Sequence, residues 1–242
     1  MVFESILPLK RLKEIDDEEI NVKHIAIDVS EISFLETLNK NNSEESLQAI
    51  ENNLIKRNEL LKSIIDLQIN YKIPIVTLYL SRKEDKPIFE SKIYEKINEL
   101  FNELDEIIVK NSIRLTAMGK WYDIPTNTTD YLRTLVEKTK DNESFFLNLC
   151  INYSGREEII DSCKIMAHKV KSGKLEPNNI TNEEFRNNIY ASKFSQPDKI
   201  IILNKKRKLS GFLLWDSSES LIYFLEKNWN EITMKELEKF FA

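Results

Sequence analysis

Short apolar segments alternate with longer segments of helical spacing along most of this chain, and that alternation constrains its fold more than any other feature. The strand candidates occupy residues 22–29, 75–80, 113–118, 145–151 and 199–203. The helix candidates occupy residues 43–71, 89–109, 127–140, 155–170 and 234–241. Apolar strands separated by helices pack as a parallel sheet with right-handed crossovers. The pattern therefore predicts an α/β fold with a mainly parallel sheet wrapped by helices.

Two segments need a separate interpretation, one for the type of its element and the other for its buried face. Residues 212–215, Phe-Leu-Leu-Trp, either start a last strand or form a buried turn. In the helix over 155–170 we predict that the apolar side chains face inward. These are Ile159, Ile160, Cys163, Met166 and Ala167. Glu157 and Glu158 occupy the first turn of that helix, where carboxylates favour the helix dipole, so we expect a structural role for both.

Size and charge place the chain among globular proteins. Its 242 residues suffice for one large domain with a sizeable core. An apolar share of 41% beside a charged share of 31% is typical of soluble proteins, and a net charge of −5 lacks the basic footprint of nucleic-acid binders. No apolar run approaches ~20 residues and no leader pattern is visible. We therefore expect a cytoplasmic protein with at most peripheral contact with a membrane surface.

Scarce glycine, cysteine and histidine exclude several kinds of site. The four glycines, against a usual share of about 7%, are isolated from one another, so they form no Walker loop and no dinucleotide fingerprint. Two cysteines, Cys150 and Cys163, make no disulfide framework and favour a reducing cytosol. Together with His24 and His168 they lack zinc-ligand spacing. We expect all four to be packing or surface residues, with no metal site on this chain.

The most specific motif lies at residues 147–159, which read Leu-Asn-Leu-Cys-Ile-Asn-Tyr-Ser-Gly-Arg-Glu-Glu-Ile. It resembles the Leu-Asn-x-x-x-Asn-Tyr-Gly-Gly-Arg-x-Glu-Ile signature of cis-prenyltransferases, which make undecaprenyl and dolichyl diphosphates. Three further segments resemble family motifs in the same order: 77–79, 113–119 and 209–215. The resemblance implies a single domain over 1–242, with 1–21 as an N-terminal extension and 22–230 as the family-like core. Its fold would be a sheet of about six strands enclosing an apolar tunnel.

The catalytic motif of that family is only partly present. In the family, an aspartate in His-x-x-x-x-x-Asp-Gly-Asn-Gly-Arg-Trp helps to hold magnesium, and the following glycines and arginine bind the allylic diphosphate. The matching stretch here begins at His24. Without gaps Ser30 replaces the aspartate, whereas a two-residue deletion puts Asp28 in its place. No Gly-Asn-Gly-Arg follows in either case, so anion binding by bare amides beside an arginine fork is lost. Asp28 is the candidate catalytic carboxylate, and a turn-capping aspartate is the alternative.

The family's loop for isopentenyl diphosphate, Arg-Thr-Ser-Gly-Glu-x-Arg-x-Ser, is altered as well. It aligns with residues 202–210, where Ile202 replaces the first arginine, Lys208 replaces the second and Ser210 is kept. Lysine retains the charge but loses the bidentate geometry. The candidate diphosphate-binding residues are therefore Arg207, Lys208 and Ser210. The alternative is a solvated loop beside a buried strand.

The resemblance implies no cofactor on this chain and Mg²⁺ only in an active partner subunit. The family's metal-binding glutamate aligns with Leu221, and Glu219 lies two residues away. Magnesium needs oxygen ligands, which leucine does not supply. We therefore interpret the chain as catalytically degenerate.

Family members pair as dimers, which here implies a surface drawn from residues 143–160 and 212–229. Stable interfaces carry aromatic anchors. The candidate anchors are Tyr153, Trp215, Tyr223 and Phe224. The Arg-x-Gly tail of many family dimers has no counterpart in Glu-Lys-Phe-Phe-Ala at residues 238–242, which weakens the hypothesis of a subunit.

Three functional hypotheses follow, in this order. The first is a non-catalytic subunit of a heteromeric cis-prenyltransferase that makes long-chain polyprenyl diphosphate for dolichol-type carriers, with a catalytic homologue or a second copy as its partner. The second is a divergent active enzyme that uses Asp28 and the basic loop to condense isopentenyl diphosphate with an allylic diphosphate. The third is an isoprenoid-binding protein without a prenyltransferase partner. A prenyl diphosphate is the candidate ligand.

Overall fold

The computed structural model describes residues 21–31, 44–83 and 87–242. The predicted N-terminal extension, residues 1–21, lies outside these ranges except for its last position. The elements are β1 (His24–Asp28), α1 (Glu44–Asn70), β2 (Ile75–Tyr79), α2 (Pro87–Lys110), β3 (Ile113–Met118), α3 (Thr126–Thr139), β4 (Phe145–Cys150), α4 (Gly155–Lys171), α5 (Asn182–Arg186), β5 (Lys199–Leu203), β6 (Leu221–Leu225) and α6 (Met234–Glu238). None of the helices in this described part of the chain is long and apolar enough to cross a bilayer.

The six described strands form one sheet in the order β3-β4-β2-β1-β5-β6. Every neighbouring pair is parallel. All five residues of the inner strand β1 are buried, as expected for a strand that helices cover on both faces. The predicted α/β class with a mainly parallel sheet is therefore confirmed.

The last strand comes after the Phe-Leu-Leu-Trp segment rather than within it. Of the two interpretations of residues 212–215, the strand is wrong and the buried turn is right. Gly211 and Leu213 adopt positive φ angles of 82° and 43°, which an extended strand does not contain. The ring of Phe212 is buried and stacks on that of Tyr79, with centroids 5.0 Å apart. Burial of this segment thus comes from packing against the sheet, not from pairing within it.

The sheet buries a different apolar cluster on each face. Along β1, Ile25 and Ile27 belong to one cluster and Ala26 to the other, because successive side chains of a strand point to opposite faces. Helices α1, α2 and α3 cover the first face, and α4 and α5 cover the second. Asp28 alternates in step with Ala26, so its side chain belongs to the second face.

Helix α4 buries a different stripe from the predicted one. Its buried residues are Gly155, Glu158, Ser162 and Met166. They follow one another by about one helical turn. Ile160, Cys163 and Ala167 are exposed instead, so the prediction that they face inward is wrong. The amide of Gly155 donates to the carbonyl of Gly211 at 2.9 Å, and a Cβ at residue 155 would lie 2.3 Å from that oxygen. This close approach holds the start of the helix against the turn at residue 211.

Candidate functional site

The connections of the sheet single out the carboxyl ends of β1 and β5. After β1 the chain turns towards β2 on one side, whereas after β5 it turns towards β6 on the other. Open α/β sheets bind ligands outside the carboxyl ends of two neighbouring strands whose connections run in opposite directions in this way. The segments at that point are residues 29–31 and 204–210, which include the predicted site residues. The sheet therefore brings Asp28 and the basic loop to one edge, which we call the carboxyl edge.

Asp28 ends β1 and is fully buried. Its Oδ1 accepts hydrogen bonds from the amide of Ser30 at 2.8 Å and from the hydroxyl of Ser30 at 2.6 Å. Its Oδ2 lies 3.8 Å from Nη2 of Arg82. Burial raises the pKa of Asp28, and the Arg82 charge and the Ser30 hydrogen bonds offset part of that rise. The side chain therefore caps the turn after β1 and also lies beside the positive charge of Arg82.

Arg82, which sequence reasoning missed, joins the acidic groups of this edge. Its Nε donates to the hydroxyl of Ser30 at 2.8 Å, and its Nη1 lies 3.3 Å from Oε2 of Glu31. Glu31 is itself buried, and its carbonyl accepts from the indole of Trp229 at 2.8 Å. One guanidinium thus bridges Asp28, Ser30 and Glu31. The only signal in the sequence was a basic residue just after the Thr-Leu-Tyr strand.

Ile202 is the residue of β5 that pairs in register with Asp28. Its side chain is fully buried in the second-face cluster, with Tyr79 and Phe212 among the other members. At this position the family motif quoted above has an arginine. The residue beside the buried carboxylate therefore contributes apolar packing and no charge.

The predicted diphosphate loop is organised by a buried asparagine. Oδ1 of Asn204 accepts from the amides of Lys206 and Lys208 at 3.0 and 3.2 Å, and its Nδ2 donates to the carbonyl of Lys208 at 2.7 Å. Arg207 and Ser210 take positive φ angles of 49° and 54°, which cost free energy in residues other than glycine. The loop is therefore an ordered turn whose residues 205–208 are exposed to solvent, and both interpretations of it, a diphosphate site and a solvated loop, stay predictions.

Most cations of the carboxyl edge are neutralised by carboxylates of the chain itself. Arg207 pairs with Glu226, and Lys205 pairs with Glu231 at 2.6 Å. Glu157 forms ion pairs with both Lys83, at 3.0 Å, and Lys120, at 2.6 Å. Of the three predicted diphosphate-binding residues, Lys208 is the cation without an ion pair in the described part of the chain, and the hydroxyl of Ser210 donates to the carbonyl of Lys208 at 3.3 Å.

A magnesium site does not fit the described residues of this edge. Asp28 and Glu31 share a guanidinium, whose positive charge disfavours a second cation between them. Within the described ranges, no group of three acidic, histidine or cysteine side chains is arranged to hold a metal. Leu221 starts β6 opposite Lys199, so it lies at the amino ends of the strands, away from Asp28.

The four predicted interface residues lie in different surroundings. Tyr153 is completely buried and donates to Oε2 of Glu158 at 2.6 Å, so it has no surface to offer a partner. Trp215 packs on Phe185, with ring centroids 4.0 Å apart, and remains half-buried. Tyr223 is half-buried, and Phe224 on the edge strand β6 is 38% exposed. An interface through Trp215, Tyr223 and Phe224 stays a prediction.

Glu158 is a further buried carboxyl group, which the sequence had placed only in a first helical turn. It accepts from the hydroxyl of Tyr153 and, through Oε1, from the amide of Tyr190 at 3.0 Å. Burial raises the pKa of Glu158 to about 7, against the effect of these hydrogen bonds. Its role is structural, because it joins α4 to the segment that follows α5.

Comparisons with known proteins agree with this fold. A family model described as "Putative undecaprenyl diphosphate synthase" matches residues 30–242. The geranylgeranyl-diphosphate-specific tritrans,polycis-undecaprenyl-diphosphate synthase of Picrophilus torridus is 32% identical over 186 residues, which are 74% of this chain and 72% of that protein. The enzyme of the same name from Methanocaldococcus jannaschii is 36% identical over 181 residues, 72% of this chain and 63% of its own length.

Two solved structures have the same fold. Lavandulyl diphosphate synthase from Lavandula x intermedia, in complex with dimethylallyl diphosphate, superposes with a TM-score of 0.80 at 18% identity and covers 93% of this chain and 95% of that one. A probable undecaprenyl diphosphate synthase from Campylobacter jejuni gives a TM-score of 0.69 at 22% identity, with coverages of 90% and 92%. At these identities the likeness shows the fold alone.

Proposed function

The chain belongs to the undecaprenyl diphosphate synthase family of cis-prenyltransferases, and from this premise we propose that it is the non-catalytic subunit of a heteromeric cis-prenyltransferase that makes long-chain polyprenyl diphosphate. Its partner would be a catalytic homologue. The observation that carries the proposal is made at the carboxyl edge. There, carboxylates of the chain itself form ion pairs with most of the cations that a diphosphate would need.

Condensation of prenyl diphosphates requires stabilisation of the departing diphosphate by cations or aimed hydrogen-bond donors. Here the guanidinium of Arg82 contacts Ser30 and Glu31, and the register partner of Asp28 is Ile202. A diphosphate would have to draw Arg82 away from these buried partners, and breaking a buried ion pair costs free energy. This arrangement supports a chain that does not turn over substrate by itself.

The edge strand β6 supports the second half of the proposal, association with another subunit. Leu221 and Phe224 on this strand are 45% and 38% exposed. Among the described strands β6 is paired on one side only, and an open strand edge with exposed apolar side chains favours association. A partner that covered β6 would bury both side chains. The position of the missing metal-binding glutamate, Leu221, would then lie within the interface.

The proposal is tested by assaying the purified chain alone and mixed with a catalytic homologue from the same genome. Alone, with isopentenyl diphosphate, geranylgeranyl diphosphate and Mg²⁺, we expect no condensation, whereas the mixture should form a complex with higher activity than the homologue alone. Phe224→Asp should weaken the complex. The matched control Val109→Asp, at a residue that is 47% exposed on α2, should not. Turnover by the chain alone at about 1 per second or faster would refute the proposal.

A divergent active synthase is the second candidate, favoured by one observation. Asp28 ends β1 with a guanidinium 3.8 Å away, so an acid and a cation still meet at the place where the family has both. The two relatives described above are also named as synthases. If the chain alone shows any turnover, Asp28→Ala should abolish it. Activity that survives this substitution would remove Asp28 from the mechanism.

A further inference from the structure

A small basic cavity lies along the edge strand β3, apart from the carboxyl edge. Its volume is about 230 Å³, and its walls include Arg114, Thr116, Phe146, Lys193 and Phe194. We call it the Arg114 cavity. Two strands, β4 and β2, separate β3 from β1. Arg114 also pairs with Phe146 near the amino ends of β3 and β4, whereas Asp28 lies at the carboxyl end of β1. The cavity is therefore distinct from the site described above.

The pattern of β3 explains why polar groups line the cavity. Arg114 and Thr116 are two residues apart and point to the same face, while Ile113 and Leu115 are buried. The cross-strand neighbour of Arg114 is Phe146. Two cations, a hydroxyl and an aromatic floor thus result from one edge strand, its neighbour and the segment at 193–194.

The chain segment after α5 closes the other side of the cavity. The ring of Phe194 packs edge-on against Phe146, with centroids 5.7 Å apart at 63°. The carbonyl of Phe194 accepts from Nη2 of Arg186 at 2.7 Å, and that arginine is also paired with the buried Asp216 at 3.2 Å. The aromatic wall is therefore held by an ion pair, and the cavity is built rather than left by a loose loop.

The charge of the cavity is uncompensated. In the described part of the chain, Arg114 and Lys193 take part in no ion pair or side-chain hydrogen bond, and neither does the hydroxyl of Thr116. Lys140, also in the wall, pairs with Glu137. None of the wall residues is acidic, although the whole chain carries a net charge of −5. At the carboxyl edge most cations are neutralised internally, whereas here two are left for an external anion.

We propose that the Arg114 cavity binds a small phosphate monoester that carries a short apolar or aromatic group. The guanidinium of Arg114 offers paired donors that match phosphate oxygens, and Lys193 adds a point charge. Thr116 supplies a hydroxyl, while Phe146 and Phe194 contact the apolar group. The cavity volume of about 230 Å³ suits a small ligand of this kind. The inference is independent of the proposed function.

Calorimetric titration of the full chain with phenyl phosphate tests this assignment. We expect saturable binding that Arg114→Gln weakens by about tenfold or more and Lys193→Gln by several-fold. The charge-matched control Lys171→Gln, at an exposed residue of α4, should leave the affinity unchanged. Benzyl alcohol, which lacks the phosphate, should not bind.

Three results would overturn the proposal. The first is that phenyl phosphate shows no saturable binding up to about 10 mM, which corresponds to negligible affinity. The second is equal binding by all three variants. The third is that the chain binds vesicles of phosphatidic acid but does not bind phenyl phosphate. Circular dichroism establishes that each variant is folded. Should Arg114→Gln not fold, Lys193→Gln provides the same test, because Lys193 is exposed and has no structural partner in the described residues.

Discussion

Strand β1 begins with a buried histidine and ends with a buried aspartate, and the two ends are stabilised in opposite ways. At the amino end, Nδ1 of His24 lies 2.7 Å from the carbonyl of Ser195, and Nε2 lies 2.8 Å from the hydroxyl of Thr77. A carbonyl only accepts, so Nδ1 carries the proton and Nε2 accepts from the threonine. Burial lowers the pKa of His24 to about 4. The imidazole at this end is therefore neutral, and both of its nitrogens are hydrogen-bonded.

At the carboxyl end the network is charged. Asp28 and Glu31 are buried carboxylates that share Arg82, and the register partner Ile202 offers no polar group. The comparison shows where this fold places its ionic groups. At the amino end of β1 a neutral imidazole joins the strand to β2, whereas at its carboxyl end two carboxyl groups meet a guanidinium, where α/β sheets bind ligands. Four predictions test that contrast, in order of decreasing effect.

Removal of the guanidinium should have the largest effect. Arg82→Gln would remove the cation that the buried groups Asp28 and Glu31 share, so we expect the free energy of unfolding to fall by about 3–5 kcal/mol at neutral pH. Urea unfolding measures the loss. The double variant Asp28→Asn, Arg82→Gln should recover part of it, because it removes a charge together with its partner. A loss below about 1 kcal/mol would mean that the carboxyl edge is solvated.

Glu158 provides a buried carboxyl group without a cation within hydrogen-bond distance. Its pKa rises from 4.5 to about 7 on folding, so the native state binds the proton more tightly and its contribution to stability is lost as pH rises through 5 to 8. Over that window the loss should be roughly 2–3 kcal/mol. Glu158→Gln removes this titration. From pH 5 to pH 8 the free energy of unfolding of the variant should therefore rise by this amount relative to that of the unmodified chain. A difference between the two free energies of unfolding that does not change with pH would contradict the assignment.

His24 should show the opposite sign. Its pKa falls from 6.5 to about 4 on folding, so the unfolded chain takes up the proton first and stability is lost as pH falls through 6.5 towards 4. The free energy of unfolding of the unmodified chain, relative to that of His24→Gln, should therefore fall by about 2 kcal/mol between pH 7 and pH 5. Thermal melting of both proteins at the two pH values measures this change. A constant difference would mean that His24 is not the neutral group described above.

The smallest effect is expected at the surface of the basic loop. Arg207 and Glu226 form an ion pair in which both side chains are more than half exposed. Arg207→Gln should change the free energy of unfolding by less than about 1 kcal/mol. The matched substitution Lys205→Gln, in the neighbouring pair with Glu231, should behave alike. A larger loss from Arg207→Gln alone would show that this arginine supports the turn as well as the ion pair.

Several features of the fold could be predicted because they depend on local pattern. The apolar runs predicted β2 and β5 almost residue for residue, since buried parallel strands are apolar throughout, and the alternation over 113–118 predicted the edge strand β3. Helix α4 shows where such reasoning ends. Its apolar residues suggested one buried face, but the helix buries Glu158 instead, and its first residue, Gly155, is in close contact with Gly211. That contact joins segments far apart in the chain, and no local pattern contains it.

The sequence by itself determined the class of the fold, the place of Asp28 at a strand end and the loss of the family's glycines and arginines, because these follow from composition, periodicity and motif. Only the tertiary structure decided which charges meet. Arg82 reaches Asp28 because β1 and β2 are neighbours, and Ile202 lies beside it because of the register with β5. The unpaired cations of the Arg114 cavity depend in the same way on how the segment after α5 packs on β4. Register and long-range packing set the distances between charges, and electrostatic interactions depend on those distances.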